Sequence, residues 1–206
     1  MNYFKHFALF LLVISAKSSI AQNYDKMAMQ AMMKGDYKGA VAQLEKADTK
    51  DPNNAGVIKM LGYSYFQCGD FENAIDAYTR FINLKPSDYS AYYYRGKARL
   101  NVANDPKESL NQMRENSYLS SIKDFSKAIE IKGEDDPQLL QNRALAYKDY
   151  GIYKSYKIKK SAEKTACIGL FNNSVADFQR ILATQPQRKD ITSLVEYVKA
   201  QIASLK

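Results

Sequence analysis

Histidine is almost absent from this chain of 206 residues, because the only one is His6, close to the N-terminus. Catalytic triads built on histidine, most catalytic zinc sites and histidine proton shuttles need an imidazole that titrates near neutral pH. The nine glycines form neither a G-x-G-x-x-G sequence nor a Walker-type loop, which leaves nucleotide binding of those kinds without support. The sequence therefore offers no catalytic residue, no metal site and no cofactor, and we expect a protein that is not an enzyme.

Long hydrophobic runs are lacking too. The apolar run at residues 7–14 follows Lys5 and precedes the small residues of Ser19-Ile20-Ala21. It is far shorter than the ~20 residues that cross a bilayer, which argues against the alternative of a membrane anchor. The pattern is typical of a secretory signal peptide over residues 1–21, with Gln22 as the mature N-terminus. We therefore expect an exported protein, located in a bacterial periplasm or envelope.

Acidic residues are outnumbered, with 22 Asp and Glu against 30 Lys and Arg and a net charge of +8. Removal of residues 1–21 takes away Lys5 and Lys17 and lowers the net charge from +8 to +6. Such a balance attracts acidic proteins or anionic lipid head groups, although it also serves solubility. Nucleic acid is not an expected partner of an exported chain.

Cysteine is scarce, and Cys68 and Cys167 both lack the C-x-x-C context of a redox or zinc site. In an oxidising compartment the two thiols could pair. Cysteines held on stiff helices seldom reach the Cα separation of ~5.5 Å that a disulfide needs. The sequence leaves this disulfide open.

One pattern occurs twice with a spacing of 34 residues. Gly35-Asp36 and Gly69-Asp70 each combine a glycine for a tight turn with an aspartate that can cap the following helix. Small residues at Gly62 and Ala74 allow two helices to cross closely, and Pro86 is expected to begin the next helix. A period of this length predicts helix pairs that stack on their neighbours, because one pair cannot bury its own apolar face.

The second unit resembles the tetratricopeptide repeat. The residues that carry the resemblance are Ile58, Leu61, Gly62, Tyr65, Ala74, Tyr78 and Pro86. It implies an all-α fold, a right-handed α-solenoid of stacked antiparallel helix pairs with about four repeats and a C-terminal capping helix. We expect one solenoid over residues 22–206. Its units would be residues 21–54, 55–88, 89–136 and 137–186, followed by a capping helix at 187–206.

The third and fourth units carry insertions of 13 and 18 residues. The first is expected to form a short additional helix or a longer hairpin, and Arg95 stands where the family usually has leucine. The second, around residues 152–173, is rich in lysine. Its basic residues are Lys154, Lys157, Lys159, Lys160 and Lys164. Such a run binds anionic surfaces or simply faces water.

The resemblance also implies a concave groove lined by the first helix of each repeat. The groove residues are Met29, Met32, Met33, Lys59, Tyr63, Phe66, Tyr93, Lys97 and Leu145. Methionine and tyrosine offer adaptable contact area, and the lysines suit acidic residues on a peptide or amphipathic helix. The alternative is that these side chains only pack against neighbouring repeats.

Two functions follow. The first is a non-enzymatic scaffold of the cell envelope that binds a protein or peptide in the groove. The alternative is an envelope-surface binder that uses the lysine-rich insertion for anionic lipid or cell-wall polymer, which includes contact with a membrane surface. The chaperone-binding members of the family clamp a carboxylate with lysine and asparagine, and Asp25 with Met29, like Lys59 with Tyr63, does not reproduce that clamp.

Overall fold

Every regular element in the described part of the computed structural model is an α-helix. The structure describes residues 24–105, 111–133 and 135–205, so the predicted signal peptide at 1–21 and Gln22 lie outside the described residues. The helices are α1 (24–33), α2 (Tyr37–Lys50), α3 (Ala55–Gln67), α4 (Phe71–Leu84), α5 (Tyr89–Asn104), α6 (Asn111–Lys132), α7 (Pro137–Ser155), α8 (Ser161–Thr184) and α9 (Lys189–Ser204). The prediction of an all-α repeat fold is confirmed.

The helices belong to two compact units that meet at the Pro86–Ser87 bond. In the first unit α2 packs on α3 and α3 packs on α4, while in the second each helix from α5 to α8 packs on the next. The first core joins α1 to α2 through Ala28, Ala40 and Leu44, all fully buried. Within each unit, helices that follow each other in the sequence bury apolar residues against one another, which is the packing that repeat proteins need.

Tight turns separate the two helices of the first and second repeats, as predicted. Gly35 and Gly69 have φ of 75° and 82°, in the left-handed region that favours glycine. Asp36 then accepts a hydrogen bond from the Gly39 amide at 2.8 Å, and Asp70 accepts one from Asn73 at 3.3 Å. The glycine reverses the chain and the aspartate satisfies an amide at the start of the next helix.

The prediction that Pro86 begins a helix is wrong. Pro86 lies in the turn that follows α4, and α5 begins at Tyr89. Asp88 is the capping residue, and its carboxylate accepts from the Ser90 amide at 2.9 Å. The carboxylate satisfies amides at the helix start that would otherwise lack partners, so the helix begins directly after Asp88.

Small residues lie where the paired helices cross. A β-carbon on Gly62 would lie 3.0 Å from the Tyr78 ring, and one on Gly96 would lie 3.0 Å from Phe125. Tyr78 and Phe125 are almost completely buried. The glycines therefore let an aromatic ring of the second helix sit directly on the backbone of the first.

The insertions lengthen the helices of the second unit. In the first unit α3 and α4 have 13 and 14 residues, whereas α7 and α8 have 19 and 24. The third repeat contains α6 of 22 residues, and residues 106–110 before it lie outside the described part. The helix predicted after Pro186 is α9, which buries Ile191, Val195 and Val198 against the core of this unit.

Candidate functional site

Two of the three predicted groove residues of α1 are the most exposed large apolar side chains among the described residues of the first unit. Met29 is 55% exposed and Met33 is 86% exposed. Met32, from the same turn, is instead half-buried against the core. An exposed pair of flexible thioethers on one helix end is an adaptable contact surface for a partner.

The predicted residues of α3 are held by aromatic contacts. Lys59 Nζ lies 5.3 Å from the centre of the Phe81 ring. The Tyr63 ring meets Tyr37 edge-on at 5.9 Å, and Phe66 meets the ring of Phe71 at 5.7 Å. All three predicted residues are half-buried. The aromatic contacts hold these side chains in place, and part of each one remains exposed to solvent. A residue that binds a partner needs both properties.

In the second unit, Tyr93 does not present an open surface. Tyr93 is 7% exposed, and Lys97 Nζ covers its ring at 5.4 Å from the centre. Burial lowers the pKa of Lys97. Leu145 is partly buried against the core of the unit. At this position of α5 the ammonium group of Lys97 is therefore held over the Tyr93 ring by a cation–π contact.

The lysine-rich insertion is partly engaged within the second unit. Lys154 pairs with Glu115 at 3.0 Å, and Lys157 lies 3.9 Å from the centre of the Tyr153 ring. Lys159 and Lys160 are exposed, and Lys164 is half-buried. The insertion thus presents fewer open charges than a run of five lysines suggests.

Side chains in and next to the two insertions contact each other, which the sequence did not predict. The Tyr118 ring of α6 stacks on Tyr150 of α7 at 5.4 Å and lies 5.6 Å from Tyr153. The Tyr150 hydroxyl donates to Glu115 at 2.7 Å, which holds the pKa of that carboxyl below its usual value. A cleft of about 340 Å³ opens beside these rings, with Tyr156 on its wall.

Buried ion pairs join the two helices of the third and fourth repeats. Asp124 of α6 accepts from Arg95 at 2.7 and 3.0 Å and from Arg99 at 2.6 Å. Asp177 of α8 accepts from Arg143 at 2.7 Å through both of its oxygens. In the sequence both aspartates directly precede the large aromatic of the second helix, a signal that could have predicted these pairs.

The described residues contain no group of three or more histidine, cysteine, aspartate or glutamate side chains placed to hold a metal ion. Cys68 and Cys167 are both free thiols, and Cys167 is fully buried with its sulfur 3.1 Å from the Gly151 carbonyl oxygen. Among the helices in the described ranges, none combines the length and apolarity that a membrane span requires.

A family model described as TPR repeat matches residues 62–102. Intraflagellar transport protein 70A from Danio rerio is 31% identical over 72 residues, which are 34% of this chain and 11% of that protein. The chain therefore matches a small part of this relative's length.

Solved structures share the fold. The MamA RS-1 double mutant gives a TM-score of 0.67 at 12% identity and covers 90% of this chain and 88% of its own. A crystal structure of MamA gives 0.58 at 18% identity, with 88% and 91% covered. The first TPR of Spaghetti (RPAP3), bound to the HSP90 peptide SRMEEVD, gives 0.52 at 19% identity, with 63% and 91% covered. Residues 62–102 thus match the TPR repeat model, and the similar structures show that the chain shares the fold of those proteins.

Proposed function

We propose that this protein is a non-enzymatic scaffold that binds a protein partner through the first helices of its repeats. The observation that carries the proposal is the exposure of Met29 and Met33 at one end of the first unit. Exposed apolar side chains that share one helix face mark interaction surfaces more often than isolated ones do. The similarity to the first TPR of Spaghetti, which is bound to a peptide, supports a role in protein interaction.

The partner we propose is a peptide or amphipathic helix that carries acidic residues. The methionines offer apolar contact area, while Lys59 and Lys97 offer positive charge on their own faces. The peptide bound by Spaghetti contains acidic residues, but the carboxylate clamp of the chaperone-binding members is not reproduced at Asp25 and Met29. We therefore propose recognition of an apolar face flanked by acids rather than of a chain terminus.

A photo-crosslinking residue placed at Met33 tests the proposal directly. The matched control is Met113, which is 50% exposed on α6 and is not a predicted groove residue. We expect one identified protein to crosslink at position 33 and not at position 113. A synthetic peptide from that protein should then bind the wild type at least tenfold more tightly than a variant with Met29→Ser and Met33→Ser. Equal crosslinking at both positions would contradict the proposal.

Export to a bacterial envelope is part of the same proposal and rests on the sequence of residues 1–21. Cell fractionation and N-terminal sequencing of the purified protein test it. The expected result is an envelope fraction that contains a chain beginning at Gln22. A chain that retains residues 1–21 in the cytosolic fraction would contradict export without affecting the binding proposal.

A second candidate function uses the tip of the α7–α8 hairpin. Tyr156 is 85% exposed there, and Lys159 and Lys160 are exposed nearby. An aromatic ring beside lysines suits an anionic membrane or cell-wall polymer. Co-sedimentation with vesicles that contain phosphatidylglycerol, compared with neutral vesicles, tests this role. Binding that falls with salt and with Lys159→Ala and Lys160→Ala would favour it, and equal sedimentation with both vesicle types would exclude it.

A further inference from the structure

A cavity of about 550 Å³ opens between α5 and α6 in the second unit, away from the residues of the proposed functions. Its wall on α5 consists of Tyr92, Arg95 and Arg99, and its wall on α6 runs from Ser120 to Glu130. Asp124 lies at its base, with a side chain that is 3% exposed. The site is thus a polar cleft with a buried carboxylate at the bottom.

The lining carries more positive than negative charge. Arg95 and Arg99 share one carboxylate, with their Nη atoms 2.7 and 2.6 Å from the two oxygens of Asp124. Lys127 pairs with Glu130 at 2.6 Å, and Lys123 adds a further cation at the rim. The lining therefore holds four basic side chains and two acidic ones, and its two guanidinium groups are largely shielded from water.

Burial penalises this arrangement. It lowers the pKa of Arg99, and the adjacent positive charge of Arg95 acts in the same direction, against the opposing effect of Asp124. The side chain of Arg99 is only 22% exposed. A cation held in such surroundings gains from an anion that enters the cleft, because the attraction is stronger there than in bulk water.

The fourth repeat provides an internal comparison. Asp177 accepts from Arg143 in the geometry that Asp124 has with Arg95. The position of Arg99 is occupied by the neutral Tyr147 in that repeat. The second cation near Asp177 is Arg180, at 3.6 Å, and it pairs with a carboxylate of its own, Asp135. The helix pair therefore forms without a cation at the position of Arg99, and Arg99 is an addition of the third repeat.

We propose that this cleft binds an oxyanion, a phosphate or carboxylate group, through Arg99 and Lys123. The planar guanidinium matches the oxygens of either group, and the lysine at the rim attracts it. Tyr92 and the α6 serines bound a space large enough for the group and the first part of the molecule that carries it. This site is independent of the groove proposed above and uses none of its residues.

The test is isothermal titration of the full protein with inorganic phosphate and, separately, with succinate, in chloride buffer of constant ionic strength. We expect saturable binding of at least one of the two anions. The Arg99→Tyr variant, which installs the residue of the fourth repeat, should weaken it at least tenfold, and Lys123→Ala should weaken it several-fold. Lys199→Ala, which removes an exposed charge of α9, should leave it unchanged.

The two anions distinguish the source of the oxyanion. Tighter binding of phosphate would indicate a phosphorylated ligand, and tighter binding of succinate a carboxylate. Arg99→Lys keeps the charge without the planar fork and should bind more weakly than wild type but more tightly than Arg99→Tyr. Circular dichroism establishes that each variant is folded. The proposal is overturned if neither anion binds, or if Arg99→Tyr binds as tightly as the wild type and the Lys199→Ala control do.

Discussion

Arg143 and Asp177 form a two-pronged ion pair between α7 and α8, with Nε and Nη2 each 2.7 Å from a carboxylate oxygen. The side chains are 16% and 5% exposed. In the second repeat the corresponding residues are Leu61 and Ala77, both buried in an apolar core. The same place in the fold is thus filled by an ion pair in one repeat and by two apolar side chains in another.

This substitution predicts strong coupling between the two positions. Asp177→Ala leaves a buried guanidinium without its carboxylate and should lower the free energy of unfolding by about 3 kcal/mol. The double variant Arg143→Leu with Asp177→Ala restores the pattern of the second repeat and should lie within about 1 kcal/mol of wild type. Urea unfolding followed by circular dichroism measures both. If the double variant is as unstable as the sum of the single changes, the positions do not act as a pair.

Two buried serines predict opposite effects of the same substitution. Ser121 Oγ donates to the Gly96 carbonyl at 2.8 Å, whereas Ser64 Oγ is buried and has no hydrogen-bond partner among the described residues. Ser121→Ala should cost about 1 kcal/mol, and Ser64→Ala should stabilise the protein by about 1 kcal/mol because a buried hydroxyl without a partner is removed. The free energies of unfolding of the two variants, measured side by side, decide this. A loss of stability in Ser64→Ala would show that its hydroxyl has a partner.

Local features of the sequence predicted the hairpins because each turn contains its own signal. Gly35 and Gly69 provide the left-handed backbone, and the following aspartates cap the next helices. The period of 34 residues then predicted which helices pair. The turn signals act over a few residues, and the period needs only a comparison of equivalent positions along the sequence.

Contacts between the insertions could not be predicted in this way. Glu115 and Lys154 are 39 residues apart and belong to segments that have no place in the repeat pattern, so no periodicity relates them.

Arg95 is informative for a different reason. Considered alone, it weakened the match of the third repeat, yet Arg95 and Arg143 occupy the same repeat position and each pairs with an aspartate of its second helix. The pairs become visible only when the two repeats are compared.

Substitutions at two glycines of the fourth repeat distinguish the effect of close packing on stability from the effect of helix propensity. A β-carbon on Gly151 would lie 2.7 Å from the Phe171 ring, while one on Gly169 meets nothing within 4 Å. Gly151→Ala should therefore cost about 1–3 kcal/mol through overpacking. Gly169→Ala should stabilise α8 by about 0.5–1 kcal/mol because alanine favours a helix interior.

The midpoints of urea unfolding for the two alanine variants check this prediction. Gly169→Ala serves as the control for Gly151→Ala, because both add one methyl group to a helix of the same hairpin. Equal midpoints would show that the Phe171 ring moves aside without cost, and the close approach at Gly151 would then have no part in stability.

The tyrosine cluster between the insertions predicts a loss of stability at high pH. Burial, and after it the charge of Asp149, raises the pKa of Tyr118 to about 12. The pKa of an unfolded tyrosine is about 10. A folded pKa above the unfolded one means that the contribution is complete below pH ~10 and is lost as the pH rises through ~12. Removal of this one phenol should therefore make the alkaline loss of stability less steep.

The measurement compares the pH dependence of unfolding in wild type and Tyr118→Phe between about pH 9 and 11.5. A single proton that the folded state binds more tightly changes the slope of the free energy of unfolding against pH by at most ~1.4 kcal/mol per pH unit. This value is the upper limit of the expected difference between the wild type and Tyr118→Phe slopes. Tyr118→Phe also removes the hydrogen bond that the hydroxyl donates to Asn104 at 2.6 Å, and this lowers stability at every pH. The slopes, rather than the absolute stabilities, therefore carry the comparison. Parallel slopes would mean that Tyr118 ionises equally readily in the folded and unfolded chains, in conflict with its buried position between the two insertions.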